Sequence, residues 1–474
     1  MFIKNHIGKL FIFILLCLYL TSYIIYITTL HPNVPFMDTL RFLTYFDSIE
    51  KGKISLLSTW DQGEHRGIIA QLYVYISAKY FHLNIFASVM SISVIIAISA
   101  FTICVYFLKS INKLRINLNL HSEYKICIII FLIFNTIYIA FFSWANWEVF
   151  SLDVGFVLFF KNLLFITYWI CLDNILREKR PSIILKILLS VISPIIIIFL
   201  SMGWCYSFSL SVIFCCFIYV VNNRGDVLYH KIFIKILCAV IIISLLAYIL
   251  CGKGVHIQSS YSYNTLKNIF ISYCALLASI FLGAETLLKL DNNLLFTFIV
   301  LIGITLSLWL LYLIILNIIK KIEIFSYLPI AFISYGFFVA VSIAIGRGSS
   351  ISYYAVASRY FMDLSFLFLG LMWLSILIII SNYNNQKRKL SVIILTIVCL
   401  LLGFVFIFGQ LKTNIDEWKK APYRNLSFQN LHNLTLKNNI TESEVAIFQS
   451  SYADTLKAIS IQKEYKIGVY NNSK

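Results

Sequence analysis

Runs of about twenty apolar residues, each closed by a short polar break, recur along most of the chain, a repeat too long for the alternating pattern of barrel strands. They fall at 10–30, 85–108, 126–142, 156–172, 183–202, 208–221, 232–250, 294–319, 327–345, 361–380 and 392–408. Runs of that length predict helices, because a segment in hydrocarbon must satisfy its backbone groups internally. A further apolar stretch, 269–288, contains Gly283 and Glu285 and is followed at once by Lys289 and Asp291, so it reads as re-entrant or interfacial. The expected fold is all-α: a polytopic transmembrane helix bundle of about eleven spans with one re-entrant segment. Two longer polar segments flank it. The first, 31–84, holds an apolar, aromatic stretch at 68–81 that is too short to span comfortably and predicts an interfacial helix. The second, 412–474, predicts a small exterior tail after a membrane domain at 1–411, with a helix over 442–459 and a short strand over 465–469.

Composition agrees with lipid as the solvent. Of 474 residues, 60% are hydrophobic and 12% charged, so an ordinary water-soluble core cannot absorb the apolar surface. The formal net charge of +17 invites a nucleic-acid reading, but its distribution argues against one. Lys4 and Lys9, then Lys109, Lys113 and Arg115, then Arg177, Lys179 and Arg180, then Arg224, Lys231 and Lys235, then Lys320 and Lys321, and last Lys387, Arg388 and Lys389 occupy alternate connections. This positive-inside pattern predicts a multi-pass protein of a bacterial inner membrane with a cytoplasmic amino terminus and a periplasmic carboxyl terminus. Membrane lipid then suffices as the anionic partner. The 11 cysteines sit mainly in apolar runs without C-x-x-C spacing and read as small hydrophobes.

The acidic residues gather on the predicted exterior side. Asp38 follows the first span in H-P-N-V-P-F-M-D-T-L-R-F, where Pro32 and Pro35 stop the helix and hold a carboxylate near the headgroup plane. It reads either as the N-cap of a helix over 39–49 or as a general base. The string W-D-Q-G-E-H-R supplies Asp61, Glu64, His65 and Arg66, and its last two residues could clamp a phosphate at the start of the interfacial helix. A third exterior connection, W-A-N-W-E-V-F-S-L-D, offers Asn146, Trp147 and Glu148 for sugar binding, against the ordinary role of tryptophan as a membrane-belt residue. Arg347 leaves one span and Arg359 enters the next, beside Tyr360. Two guanidiniums on the side that the charge pattern keeps poor in cations call for a phosphate or for salt bridges to Asp363 or Glu148. The turn S-M-G-W-C-Y reads as structural, with Trp204 placed to wall a cavity. Walker, H-E-x-x-H, G-x-S-x-G and D-x-D motifs are absent, which disfavours nucleotide hydrolysis, zinc proteolysis and transfer from nucleotide sugars.

In order and shared side, Asp38, G-E-H-R at 63–66, N-W-E at 146–148, M-G-W at 202–204 and S-R-Y at 358–360 resemble the polytopic membrane glycosyltransferases of the GT-C superfamily. The likeness is strongest to the bacterial serotype-converting, O-antigen-modifying transferases, and it covers essentially the whole chain. It implies transfer of a sugar from an undecaprenyl-phosphate donor to a glycan acceptor, without a nucleotide in the active site; no cofactor is expected, and no ligand cluster in the sequence calls for a metal. It also implies Asp38 as the inverting base, with Arg66, Arg347 and Arg359 on the carrier phosphate. The paired acidic motif of some branches is missing, and Asp61 and Glu64 stand as alternative bases. An O-antigen polymerase joining lipid-linked repeat units is a second reading, although its long loops would lie mid-chain. A flippase or other transporter is a third, which would call for pseudo-symmetric halves and charges at mid-bilayer.

Overall fold

The computed structural model describes residues 7–62, 65–66, 68–118, 123–177, 182–223, 228–251, 263–319, 326–347, 356–382 and 389–471. Helix α1 (Ile7–Leu30) leads to α2 (Asp38–Glu50), a minimal antiparallel pair β1 (Asp61–Gln62) and β2 (His65–Arg66), and α3 (Ile68–Phe81). Then come α4 (Ile85–Leu118), α5 (Glu123–Phe142), the short α6 (Trp147–Ser151), α7 (Gly155–Arg177), α8 (Ile183–Ile187), α9 (Ser193–Leu200), α10 (Cys205–Asn222) and α11 (Leu228–Leu250). The second half holds α12 (Tyr263–Ala278), α13 (Ala284–Leu287), α14 (Asn292–Ile319), α15 (Leu328–Arg347), α16 (Phe361–Asn382) and α17 (Lys389–Leu436), and closes with α18 (Glu442–Val445) and α19 (Tyr452–Tyr465).

Among the described residues 10 helices are long and apolar enough to cross a membrane, and Ile184–Leu200 adds a shorter apolar one. Together they account for the expected spans. The shorter helix holds a π turn at Leu188–Ile192, just ahead of Pro194. Proline brings no N–H to the ladder, and a widened turn absorbs the mismatch. Alternate spans bring their ends to two faces, one of which carries α2, α3 and α19; this is the tail face.

The bundle is organised around α16, whose span is 94% buried, where other spans leave a broad lipid-facing surface. It is apolar all round, as a helix on the axis of a bundle must be. Helix α15 approaches it closely because both present glycine. A Cβ on Gly336 would lie 2.5 Å from the Leu367 nitrogen, and one on Gly370 would lie 2.6 Å from the Pro329 carbonyl oxygen. Small residues at such crossings let backbones meet where no water-driven hydrophobic force joins helices.

The stretch 269–288 is not one helix. With 16 residues, α12 measures roughly 24 Å, short of the ~30 Å hydrocarbon core. Its chain then unwinds, and α17 meets the freed backbone. Gln410 Nε2 donates to the carbonyls of Ile280 (2.7 Å) and Phe281 (3.2 Å), and the Gly283 N–H donates to Thr413 Oγ1 (2.9 Å). Non-helical backbone is tolerated at this depth only when protein groups satisfy it.

Two expectations fail at the carboxyl end: the helix over 442–459 is broken at Gln449, which takes a left-handed conformation, and the strand over 465–469 does not form. Helix α17 runs unbroken for 48 residues, through the expected boundary at 411/412 and past Pro422. Apolar character fades there, but helix-forming residues do not. The segment 465–469 is not a strand: Lys466 takes a left-handed conformation that ends α19, and Gly468 (φ 58°) opens a tight turn. The tail docks on α2 and on the end of α3. Tyr465 OH donates to Asp47 Oδ1 (2.8 Å), Lys51 joins Glu464 (3.0 Å), and the Gly468 N–H donates to the His82 carbonyl (2.8 Å).

Candidate functional site: a charged cavity on the tail face

The path from α1 to α2 fixes the first carboxylate. His31 (φ 46°) and Met37 (φ 53°) turn the chain, and the Met37 N–H donates to the Phe448 carbonyl of the tail at 2.9 Å. The N-cap of α2 is Met37, without a capping side chain, and Asp38 is the first helical residue. That corrects the expected capping role. One turn on, Arg41 shares the face of Asp38, and the two side chains stand 3.3 Å apart.

The connection from α5 to α7 supplies the second carboxylate. Ser143 caps a single 3-10 turn, Trp144–Asn146, and accepts the Ala145 N–H at 3.1 Å; α6 follows without a break. Successive residues of a helix point about 100° apart, and of Asn146, Trp147 and Glu148 only the last faces the cavity. Asn146 turns inward, its Nδ2 donating to the Ser143 carbonyl (3.3 Å). Trp147 turns the other way, with the Arg424 guanidinium 3.2 Å above its ring centre. These two residues are therefore not gathered into the site.

The cations come from the far half of the chain. A 3-10 turn at Ser358–Tyr360 opens α16 and presents Arg359, while Arg347 ends α15. Both guanidiniums lie over the Tyr360 ring, at 5.4 Å for Arg359 and 5.6 Å for Arg347, an arrangement that draws two like charges to one spot. Glu148 accepts from Arg359 Nη1 and from Ser358 Oγ, each at 2.8 Å. Arg359 thus has the salt bridge weighed from the sequence. Arg347 has no carboxylate partner among the described residues.

These groups enclose a cavity of about 250 Å³ lined by Asp38, Arg41, Glu148, Arg347, Arg359 and Tyr360, with Trp204 and Met202 on one side, Leu152, Val154, Val157 and Leu158 as an apolar wall, and Gln449 from the tail. Among the described residues three guanidiniums face two carboxylates, leaving one positive charge in excess. The backbone of β2 abuts the Met202–Trp204 turn, with Asp61 paired to Arg66 and Gln62 to His65 in its register. The side chains of Asp61, His65 and Arg66, and the whole of Glu64, lie outside the described residues.

Two polar groups at the site escaped the sequence reading. Arg41 is one, although its spacing of three from Asp38 on a helix was a usable signal. Asp153, the aspartate that closes the W-A-N-W-E-V-F-S-L-D string read with Glu148, lies beside the cavity. It is 1% exposed and takes a hydrogen bond from Thr39 Oγ1, while its Oδ2 is unpartnered. Burial pushes its carboxyl up to about 6, with the Thr39 hydrogen bond opposing and the Asp38 charge adding to the rise. The second missed group is Lys161 of α7, packed against the Trp204 ring (4.0 Å) and joined to Asp363 at 2.8 and 3.0 Å; Tyr335 OH also donates to Asp363 at 2.8 Å. Asp363 is thereby occupied by a lysine and not by the arginines. Among the described residues no group of His, Cys, Asp and Glu side chains is arranged to hold a metal ion.

The cavity can take a small anionic head group against its cations while a carboxylate stands within reach as a base. No family model matches the chain, and no curated protein or solved structure does so either.

Proposed function

We propose that the chain is a bacterial inner-membrane glycosyltransferase of the GT-C kind, which moves a sugar from a polyprenyl-phosphate donor to a cell-surface glycan such as O-antigen. One observation carries the reading: Asp38, Glu148, Arg347, Arg359 and Tyr360, drawn from opposite ends of the sequence, line one cavity at the end of a membrane-spanning bundle. A phosphodiester donor carries one negative charge, which matches the excess of one guanidinium.

In the mechanism we favour, Asp38 accepts the proton of an acceptor hydroxyl as that oxygen attacks the anomeric carbon. The bond from that carbon to the phosphate oxygen breaks, and the lipid phosphate leaves with the electron pair, its growing charge met by Arg347 and Arg359. Orientation follows from charge. Lys109, Arg177, Lys231, Lys235 and Lys389 sit on or near the opposite ends of their helices, so the positive-inside bias would place the amino terminus in the cytoplasm and the cavity and tail in the periplasm.

Asp38→Asn, Arg347→Gln and Arg359→Gln, expressed in a host whose lipopolysaccharide the wild type modifies, test the reading through banding pattern and glycan composition. Loss of one side-branch sugar at normal chain length is the expected result. Collapse to single-repeat bands would point to a polymerase, and lipid-linked units retained on the cytoplasmic side would point to transport; either would overturn the proposal. Against transport stands the rarity of charge within the spans, where the Lys161–Asp363 pair is fully matched.

A further inference from the structure

Arg41 enters the reading above only as a charge, yet its Nε is shut away from solvent without a hydrogen-bond partner, and its equally buried Nη2 makes no hydrogen bond and has only the ion-pair contact with Asp38 Oδ1 at 3.3 Å. Its side chain lines the cavity beside Asp38. Buried donors are nearly always satisfied, and a guanidinium can be satisfied only by an acceptor. Its one carboxylate partner among the described residues is Asp38, 3.3 Å away on the same helix, in a pair whose side chains are 31% and 51% exposed. Half-exposed pairs at this spacing are among the weakest ion pairs, whereas a phosphate accepts several charge-assisted hydrogen bonds at once.

We propose that Arg41 is a third anion-binding residue and that it couples donor binding to the base. In the empty cavity Arg41 holds Asp38. When a lipid phosphate enters, the guanidinium turns Nε and Nη2 to the phosphate oxygens, and the Asp38 carboxylate, released by Nη2, is left free to take the acceptor's proton. The device orders the reaction, because a hydroxyl arriving before the donor meets a base that is still engaged. This inference rests on the proposed function and concerns the same cavity.

Binding of farnesyl monophosphate to the full chain in nanodiscs, with inorganic phosphate as the second probe, tests it. Farnesyl monophosphate is expected to bind, with inorganic phosphate far weaker. Arg41→Gln should weaken binding at least tenfold. Asp38→Asn should strengthen it severalfold by releasing Arg41, and that gain should vanish in the double variant, whereas simple charge repulsion by Asp38 would leave it in place. The coupling is overturned if Arg41→Gln binds like the wild type with its melting temperature unchanged, or if the gain from Asp38→Asn survives without Arg41. Should Arg347→Gln still weaken binding in that case, the proposed function stands while the inference fails. If inorganic phosphate binds as tightly as the lipid, or the wild type binds neither probe, the lipid-phosphate reading itself falls and the inference with it.

Discussion

Glu148 stands between two roles: it neutralises Arg359, and it occupies donors that a phosphate would otherwise claim. With side chains 12% and 33% exposed, the pair lies between the buried and exposed limits. Glu148→Ala is therefore expected to cost about 2 kcal/mol, midway between the ~3–5 of a broken buried pair and the ~0–1 of a surface one. Denaturant unfolding in detergent measures it, and a loss below the error of the method would show the bridge to be idle. Asp153 makes a prediction in pH. Its carboxyl is raised to about 6 in the folded chain from an ordinary value near 3.8. Between those values the folded state holds a proton that the unfolded state has lost, so this group's contribution to stability falls as pH rises from about 4 to about 6 and stays low above. Asp153→Asn should remove that slope and be the more stable form at neutral pH, by up to ~3 kcal/mol. Parallel pH profiles for the two proteins would sink the idea.

Legibility differed from residue to residue. Asp38, Glu148, Arg347 and Arg359 could be placed together because the charge pattern assigned them all to one side of the membrane, and the fold brings them within one cavity. Lys161 could not be read out, since a lone cation in F-F-K-N-L-L-F vanishes into a hydropathy average. Asn146 and Trp147 were grouped with Glu148 by adjacency, and a helical turn separates what adjacency joins.

At the scale of elements, hydrophobic runs of the right length were enough to locate the spans and the helix at 68–81, because length and apolarity are what lipid selects. The end of α17 was not readable in the same way. K-T-N-I-D-E-W-K-K-A loses hydropathy without ending the helix, so the fading of apolar character there does not mark where α17 stops. The crossing of α15 and α16 offers the sharpest test at this scale. Gly370→Val would drive its side chain into the Pro329 carbonyl and the Ile333 backbone. Overpacking of this sort costs typically 1–3 kcal/mol and can exceed it where backbone must move. The expected outcome is a lowered melting temperature and a poorer yield of monodisperse protein, while an unchanged melting temperature would mean that the two helices can part freely.

Across the whole molecule, the tail is tied both to the loop that carries Asp38 and to the helices beside it. A chain ending at residue 436 would lose the acceptor for the Met37 N–H and the tyrosine hydroxyl that donates to Asp47. It is expected to melt several degrees lower and to lose farnesyl monophosphate binding in the same step. Truncation that lowers neither would make the tail an accessory.

The unbroken α17 has a consequence for traffic. A rod of 48 residues carries the tail out of the bundle, and the tail brings Gln449 to the lining of the cavity. Under the proposed function, an acceptor glycan would therefore meet a pocket whose margin is part bundle and part tail.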